Sequence, residues 1–378
     1  MIAIIPIGVS ARSLWRNLLK NKNLEELLVL RRNLFLFVTS LLLAGVLAGS
    51  AFAARGEVRI TLTPVKDAFG PDESVMVNVS ITNPNKGAVR ILRWSTPIDG
   101  VEEDLFHVVV NGKDAEYIGR HYKRPAPTDK DYLILRGGET IETTVDLSGY
   151  YDLAETGYYR VGYYTEGSDI YADKTGFGPE TDELLSEPVQ IWITGRETRV
   201  PEYPMVDSVA GSTSFVGCTT SRQNDLNTAR NNASGYSSNS LSYLNTGTAG
   251  PRYTTWFGTY DSNRYNTVRT HFSSILNAMD NAAVTFSCQC TSSAYAYVYS
   301  NQPYTIYLCN AFWNAPAQGT DSKAGTLVHE MSHFTVVAGT DDHAYGQTAC
   351  KKLAKRPQKA IDNADSHEYF AENTPFQN

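Results

Sequence analysis

Apolar and polar positions alternate along the chain from Gly56 to about Ile193. Segments 58–62 and 75–79 place every second side chain on one apolar face, and turn residues such as Pro71 and Asp72 separate them. We expect further strands at 106–110, 140–147, 157–164 and 188–194. Short period-two segments at this spacing are typical of two packed antiparallel sheets. The pattern predicts an all-β, immunoglobulin-like sandwich for the N-terminal region.

The pattern changes after residue 213. Residues 219–244 and 264–280 have helical character with Ser-, Asn- and Thr-rich surfaces, and short strands are indicated near 294–308. The second region is therefore expected to be a mainly helical α+β domain. Between the two regions, Arg196, Arg199, Pro201 and Pro204 mark a polar stretch that suits an exposed, processed linker.

An apolar run near the N-terminus suggests export. Arg31 and Arg32 precede residues 34–47, which are apolar, and Ala51-Phe52-Ala53 follows as a small-residue cleavage site. The alternative is a transmembrane anchor, but about 14 apolar residues are fewer than the roughly 20 that span a bilayer. We expect cleavage after Ala53, secretion, and no stable membrane anchor afterwards. We therefore predict four segments: 1–53 (extension and signal peptide), 54–195 (propeptide sandwich), 196–213 (linker) and 214–378 (catalytic domain).

Composition and charge narrow the classes of function. The 378 residues are 42% hydrophobic, enough for two packed cores, and the net charge of −7 does not suggest a nucleic-acid partner. The N-terminal region contains no cluster of His, Cys or Ser beside a base. We interpret its His107 and His121 as solvated or core residues.

Residues 329–333 contain the pattern H-E-x-x-H. On a helix, positions four apart face the same way, so His329 and His333 can present two nitrogens to one metal, with Glu330 beside them as a base. Zinc suits nitrogen and oxygen ligands and lowers the pKa of bound water. Asp321 and Ser322 offer capping oxygens at the start of this helix.

A catalytic zinc needs a third protein ligand. The metzincin pattern fails, because Val336 and Gly339 stand where it needs glycine and histidine. A thermolysin-like ligand on a later helix could be Glu368. The nearer candidate is Asp342, in the G-T-x-D-x-x-Y-G segment 339–346, with Asp341 and His343 as rivals on either side.

The two motifs together resemble the deuterolysin, or aspzincin, metallopeptidases, and most closely the peptidyl-Lys metalloendopeptidases. The resemblance extends over residues of about 215 to 378. It includes three further segments: P-R-Y-T-T-W-F-G at 251–258, A-F-W at 311–313 and N-A-D-S-H-E-Y-F at 363–370.

The resemblance implies a zincin-like catalytic domain with one zinc ion held by His329, His333 and Asp342. It makes Glu330 the general base and Tyr345 the residue that stabilises the oxyanion. It also implies that Asp365 and Glu368 form an acidic pocket for a lysine after the scissile bond, since carboxylates bind a compact ammonium group by charge-assisted hydrogen bonds. Proteins and peptides are the expected substrates, and the chain's own propeptide is an expected inhibitor or folding aid of a monomeric enzyme.

All five cysteines lie in the C-terminal half. In an exported protein they are expected to form disulfides, and Cys288 and Cys290 are too close in sequence to bridge each other comfortably. We prefer Cys218 with Cys288 and Cys290 with Cys309, the pattern that the resemblance also implies. Cys350 is then left as a buried free thiol.

Two rival functions remain open at this point: a secreted adhesion protein with an inactive C-terminal domain, and a metal-dependent amidase of cell-wall peptides. The chain also lacks lysine between Lys174 and Lys323. An enzyme that cuts strictly before lysine could not release its own linker, so we expect another protease, or relaxed cleavage near Arg196 or Arg199, to process it.

Overall fold

The N-terminal region consists of short strands whose alternate residues enter the core. The computed structural model describes residues 58–167, 170–171, 182–197 and 209–378. The strands of this region are β1 (Arg59–Pro64), β2 (Ala68–Phe69), β3 (Met76–Thr82), β4 (Val89–Leu92), β5 (Phe106–Val110), β6 (Lys113–Asp114), β7 (Arg120–Lys123), β8 (Tyr132–Leu135), β9 (Thr140–Asp146), β10 (Gly157–Gly167), β11 (Asp182–Leu185) and β12 (Val189–Ile193). In β3, for example, Val77, Val79 and Ile81 are buried while the side chains between them are not.

Most of these strands form two main sheets. One has the order β1-β3-β9, and the other has the order β2-β12-β10-β5-β6, with β11 also paired to β10. Strands β4 and β8 make a separate pair. One apolar core, which includes Val79, Phe106 and Ile191, belongs to this region. The prediction of a β-rich N-terminal region is confirmed, and the immunoglobulin-like topology stays a prediction.

Helices and a mixed sheet make up the C-terminal region, as predicted. The strands are β13 (Thr213–Val216), β14 (Val284–Ser287), β15 (Ala296–Tyr299) and β16 (Thr305–Leu308). The helices are α1 (Thr220–Asn245), α2 (Pro251–Phe257), α3 (Ser262–Asn281), α4 (Asn310–Asn314), α5 (Lys323–His333), α6 (Gln347–Leu353), α7 (Pro357–Ala360) and α8 (Ala364–Glu372). A second core, which includes Leu226, Phe272 and Met331, holds them together.

A strand from the N-terminal region extends the sheet of the C-terminal region. Its order is β13-β14-β16-β15-β7, with β13, β14 and β16 parallel and β15 antiparallel to β16. Strand β7 pairs antiparallel with β15. The described residues belong to a single compact unit, even though each region has its own core. The proposed cleavage after Ala53 and most of the 196–213 linker lie outside the described residues.

Two disulfides brace the C-terminal region. Cys218 is bonded to Cys288 and Cys290 to Cys309, and Cys350 is a buried free cysteine. These are the pairs that the family resemblance implies. The first bridge ties the start of α1 to the end of β14, and the second ties the segment after β14 to the end of β16. Both therefore stabilise the sheet against which α5 packs.

Candidate metal centre and substrate pocket

Helix α5 carries the H-E-x-x-H motif in the centre of the second core. Every residue from Ala324 to His333 is buried. The Ser322 hydroxyl caps the helix by accepting a hydrogen bond of 2.9 Å from the Gly325 backbone N–H. A Cβ atom at Gly325 would collide with the Glu372 carboxylate, so this glycine allows α8 to pack closely against α5. Of the two predicted capping residues, Ser322 therefore caps the helix, and Asp321 lies elsewhere.

The three side chains predicted as metal ligands converge. The Nε2 atoms of His329 and His333 are 3.1 Å apart. Asp342 Oδ1 lies 3.3 Å from His329 Nε2, and Asp342 Oδ2 lies 3.4 Å from His333 Nε2. Ligands at about 2.0–2.2 Å from a tetrahedral zinc ion stand about 3.3–3.5 Å from one another. The two histidine–aspartate separations fall in that range, and the two Nε2 atoms lie slightly closer together.

The other nitrogen of each ring faces an acceptor. His333 Nδ1 donates a hydrogen bond of 2.7 Å to the Thr340 carbonyl oxygen. His329 Nδ1 lies 2.9 Å from Asp365 Oδ1. A proton on each Nδ1 leaves the Nε2 lone pair available, which is the arrangement that orients metal-binding histidines.

The loop that carries Asp342 is fixed by the start of α8. Asn363 Oδ1 accepts hydrogen bonds from the backbone N–H groups of His343 and Ala344, at 2.8 and 2.9 Å. Asp365 Oδ2 accepts another, of 2.7 Å, from the Gly346 N–H. Both carboxylate oxygens of Asp342 are buried and accept no hydrogen bond from the described part of the chain, although burying an uncompensated carboxylate is costly. A bound cation would offset that cost.

The rival ligands face other groups. Asp341 Oδ1 lies 3.6 Å from the Nδ1 atom of His121, and His343 Nε2 lies 2.9 Å from Asp362 Oδ2. Glu368 lies on the far side of the His329 ring, with Oε2 at 3.5 Å from Nδ1. The structure therefore brings Asp342, rather than these residues, to the pair of Nε2 atoms.

Glu330 follows His329 on α5, and Tyr345 comes three residues after Asp342. Glu330 is buried, and within the described ranges neither of its carboxylate oxygens has a hydrogen-bond partner. Burial raises the pKa of Glu330 to about 8, and the negative charge of Asp342 adds to the rise. The Tyr345 hydroxyl donates a hydrogen bond of 3.1 Å to Glu103 Oε1, a residue of the N-terminal region.

A buried lysine lies beside Asp365 and Glu368. Lys123 Nζ is 2.9 Å from Asp365 Oδ1, 2.9 Å from Glu368 Oε2 and 3.3 Å from Asp321 Oδ1. It also lies over the rings of Tyr295 and Tyr369. Burial opposes protonation of Lys123, but the carboxylates outweigh it and raise its pKa well above the ordinary value. We call the set Asp321, Tyr295, Asp365, Glu368 and Tyr369 the acidic pocket.

Sequence reasoning missed part of this site. The sequence suggested Asp321 as a capping residue. Its position in the acidic pocket depends on the packing of α5 against α8, which the sequence does not show. His121, interpreted from the sequence as a solvated or core histidine, has a nearly buried side chain. The structure adds that its ring centroid lies 4.8 Å from that of His333. Sequence neighbours do not reveal this position, because β7 reaches the site by pairing with a strand far along the chain.

The match of the chain to known proteins agrees with this geometry. The profile of the lysine-specific metallo-endopeptidases matches residues 242–372. An extracellular protease of Aeromonas hydrophila is 44% identical over 347 residues, which is 90% of this chain and 98% of that protein. The chain belongs to the lysine-specific metallo-endopeptidase family. It is accordingly a zinc metallo-endopeptidase.

Some other members of this metallo-endopeptidase family match less than half of the chain. A peptidyl-Lys metalloendopeptidase of Pleurotus ostreatus is 56% identical over 164 residues, 43% of this chain and 97% of that protein. A solved zinc peptidase from Grifola frondosa is 53% identical and covers 43% of this chain and 100% of its own, with a TM-score of 0.42.

None of the helices among the described residues combines the length and the apolar character needed to cross a bilayer.

Proposed function

We propose that this protein is a secreted zinc endopeptidase, made as a pre-pro-enzyme, that hydrolyses peptide bonds on the amino side of lysine. The observation that carries the lysine preference is the acidic pocket, which encloses the ammonium group of Lys123 with none of that side chain exposed. Buried carboxylates strongly favour a cation that can reach them, and a compact ammonium group can contact several at once. The Pleurotus relative is named a peptidyl-Lys metalloendopeptidase, which supports the same specificity.

His329, His333 and Asp342 are the proposed ligands of one zinc ion. Their mutual distances of 3.1–3.4 Å and the unpaired oxygens of Asp342 support this assignment. When bound, zinc polarises the scissile carbonyl group and lowers the pKa of the attacking water.

The chain's own residues then supply proton transfer and charge stabilisation. Glu330, buried next to His329 on α5 and with both carboxylate oxygens unpaired among the described residues, would accept the proton of the attacking water and pass it to the leaving amine. The Tyr345 hydroxyl would donate a hydrogen bond to the oxyanion that develops on the carbonyl oxygen. Asp365 and Glu368 would hold the lysine that follows the scissile bond.

The order of regions supports a zymogen. The Pleurotus relative matches 43% of this chain over 97% of its own length. That relative is therefore a protein of about the size of the C-terminal region. The Aeromonas relative, which covers both regions, is named an extracellular protease. We therefore propose that residues 54–195 are a propeptide, that the linker 196–213 is cut, and that residues 214–378 act as a monomeric enzyme. Removal of the signal peptide after Ala53 belongs to the same proposal.

A cleavage map of the processed enzyme on a peptide library tests the specificity. We expect lysine to follow the cut in nearly all products. The Glu368→Gln variant should lose much of this preference, whereas Asp280→Asn, which changes an exposed carboxylate on α3, should keep it. Cuts that follow apolar residues regardless of the next side chain would refute the pocket assignment.

The origin of processing needs a second experiment. Terminal sequencing of the secreted Glu330→Ala protein reports whether the linker is cut without the chain's own activity. Correct processing of this inactive protein is expected, because 175–322 contains no lysine. An unprocessed product would indicate that self-cleavage is obligatory.

A further inference from the structure

Strand β7 occupies a position that an extended substrate could take. It lies antiparallel to β15, the edge strand of the C-terminal sheet, with Lys123 opposite Ala296 and His121 opposite Val298. The Tyr295 backbone N–H donates a hydrogen bond of 2.8 Å to the Lys123 carbonyl oxygen. Adding an extended strand to an exposed edge is a common way to bind a peptide, because backbone hydrogen bonds hold it regardless of sequence.

Lys123 fills the acidic pocket from this strand. A lysine with no exposed surface is unusual and is tolerated only where carboxylates compensate its charge. Here Asp365 and Glu368, each fully buried, lie 2.9 Å away. The same two residues are the ones proposed to hold the lysine of a substrate.

His121 is two residues before Lys123 and projects from the same face of β7. Its Nε2 atom is buried and has no hydrogen-bond partner among the residues that the structure describes. One ligand atom from each of His121, His333 and Asp342 can be chosen so that all three lie within 4.8 Å of one another. His121 therefore lies beside two of the three proposed zinc ligands, His333 and Asp342.

We propose that β7 keeps the full-length chain latent as an internal substrate analogue, with Lys123 filling the acidic pocket and His121 acting as the fourth zinc ligand. This inference rests on the proposed function, since it uses the same pocket and ligands. A catalytic zinc site needs an open position for water. An imidazole in that position leaves Glu330 without a water to deprotonate, so the Tyr122–Lys123 bond stays intact. Glu103 adds to the block by engaging the Tyr345 hydroxyl.

Metal coordination tests His121 without any catalytic readout. In the full-length Glu330→Ala chain, which cannot cut itself, zinc-edge X-ray absorption counts the imidazole ligands. His121→Ala should remove one imidazole and weaken zinc binding by about tenfold or more, since even residues that only orient ligands are worth about 10- to 100-fold. His107→Ala, an exposed histidine of the same region, is the matched control and should change neither quantity. An unchanged imidazole count in His121→Ala would overturn the proposal.

Occupation of the pocket is tested by Lys123→Met in the same inactive background. Loss of the ammonium group leaves Asp365 and Glu368 uncompensated, so β7 should detach from β15. The amides of residues 120–123 should then exchange hydrogen at least tenfold faster, whereas Lys130→Met, outside the pocket, should leave them protected. Unchanged protection after Lys123→Met would contradict the proposal.

The remaining test measures the peptidase activity of proteins that keep Glu330. The full-length protein should cleave a peptide that contains one lysine at least tenfold more slowly than the processed enzyme. His121→Ala should recover activity and cut itself between Tyr122 and Lys123, where water adds across the bond to leave a carboxylate on Tyr122 and an amine on Lys123. Equal activity of full-length and processed protein would overturn latency alone. A processed enzyme without a preference for lysine would instead overturn the proposed function. The number of imidazole ligands on zinc would still show whether His121 binds the metal.

Discussion

Asp365 Oδ1 lies 2.9 Å from the Nδ1 atom of His329. The same oxygen is 2.9 Å from Lys123 Nζ, and the other oxygen of this carboxylate accepts the Gly346 N–H. One buried carboxylate thus connects the acidic pocket, the first histidine of the metal centre and the loop that carries Asp342. The proposed lysine recognition and the proposed metal binding therefore share this residue, whereas Glu368 lies farther from His329, at 3.5 Å.

Two conservative variants should therefore behave differently. In the processed enzyme, Asp365→Asn is expected to weaken zinc binding by about 10- to 100-fold, because it perturbs the partner that orients His329. Glu368→Gln should lower the preference for lysine and leave zinc binding within a few-fold of the parent. Competition with a chelator measures the affinity, and cleavage of matched peptides with lysine or methionine after the cut measures the preference. Equal zinc affinities in the two variants would argue against an orienting role for Asp365.

Tyr345→Phe removes the proposed oxyanion donor and little else. We expect kcat of the processed enzyme to fall by about 10²- to 10³-fold, the usual effect of losing one such donor. KM should change little, because the hydrogen bond forms in the transition state rather than with bound substrate. Tyr260→Phe is the matched control, since that ring is 55% exposed. A Tyr345→Phe enzyme with normal kcat would exclude this role.

Local periodicity predicted much of the fold. The long helices were expected at 219–244 and 264–280, and the structure has them at Thr220–Asn245 and Ser262–Asn281. Strands β3, β5, β9, β10 and β12 were also expected close to where they lie. These elements carry repeats of apolar residues that can be identified without knowledge of their partners.

The parts that the sequence did not predict depend on contacts between distant segments. His329, Glu330, His333 and Asp342 were found because a short motif specifies their spacing. His121 and Asp321 have no such motif. Their positions follow from the pairing of β7 with β15 and from the packing of α5 against α8, so nothing beside them in the sequence could reveal where they lie.

The two disulfides should contribute unequally to stability. The bridge Cys218–Cys288 spans 70 residues and Cys290–Cys309 spans 19. The loop-entropy relation gives about 4 kcal/mol for the first and about 3 kcal/mol for the second. Guanidinium unfolding of the two double Cys→Ala variants, in the Glu330→Ala background, measures both. A larger loss from removing Cys290–Cys309 would show that factors other than chain entropy dominate.

Acid should destabilise the enzyme through His367. Burial, together with the neighbouring His271, lowers the pKa of this imidazole to about 3. In the unfolded chain a histidine takes up a proton near pH 6.5. Below that pH the unfolded state binds more protons than the folded state, so stability is lost as the pH falls from about 6.5 towards 3. The expected contribution of this one group between pH 7 and pH 5 is about 2 kcal/mol.

The variant His367→Gln tests this assignment because it removes the titrating group. In the Glu330→Ala background, the difference in the free energy of unfolding between pH 7 and pH 5 should shrink by about 2 kcal/mol relative to the parent. The variant should also be less stable at pH 7, since His367 Nδ1 hydrogen-bonds to the Asn363 carbonyl oxygen and its ring packs against Phe257. The exposed His107→Gln variant should keep the parent's pH dependence. If His367→Gln kept it as well, the acid sensitivity would have to arise from other groups, such as the metal ligands.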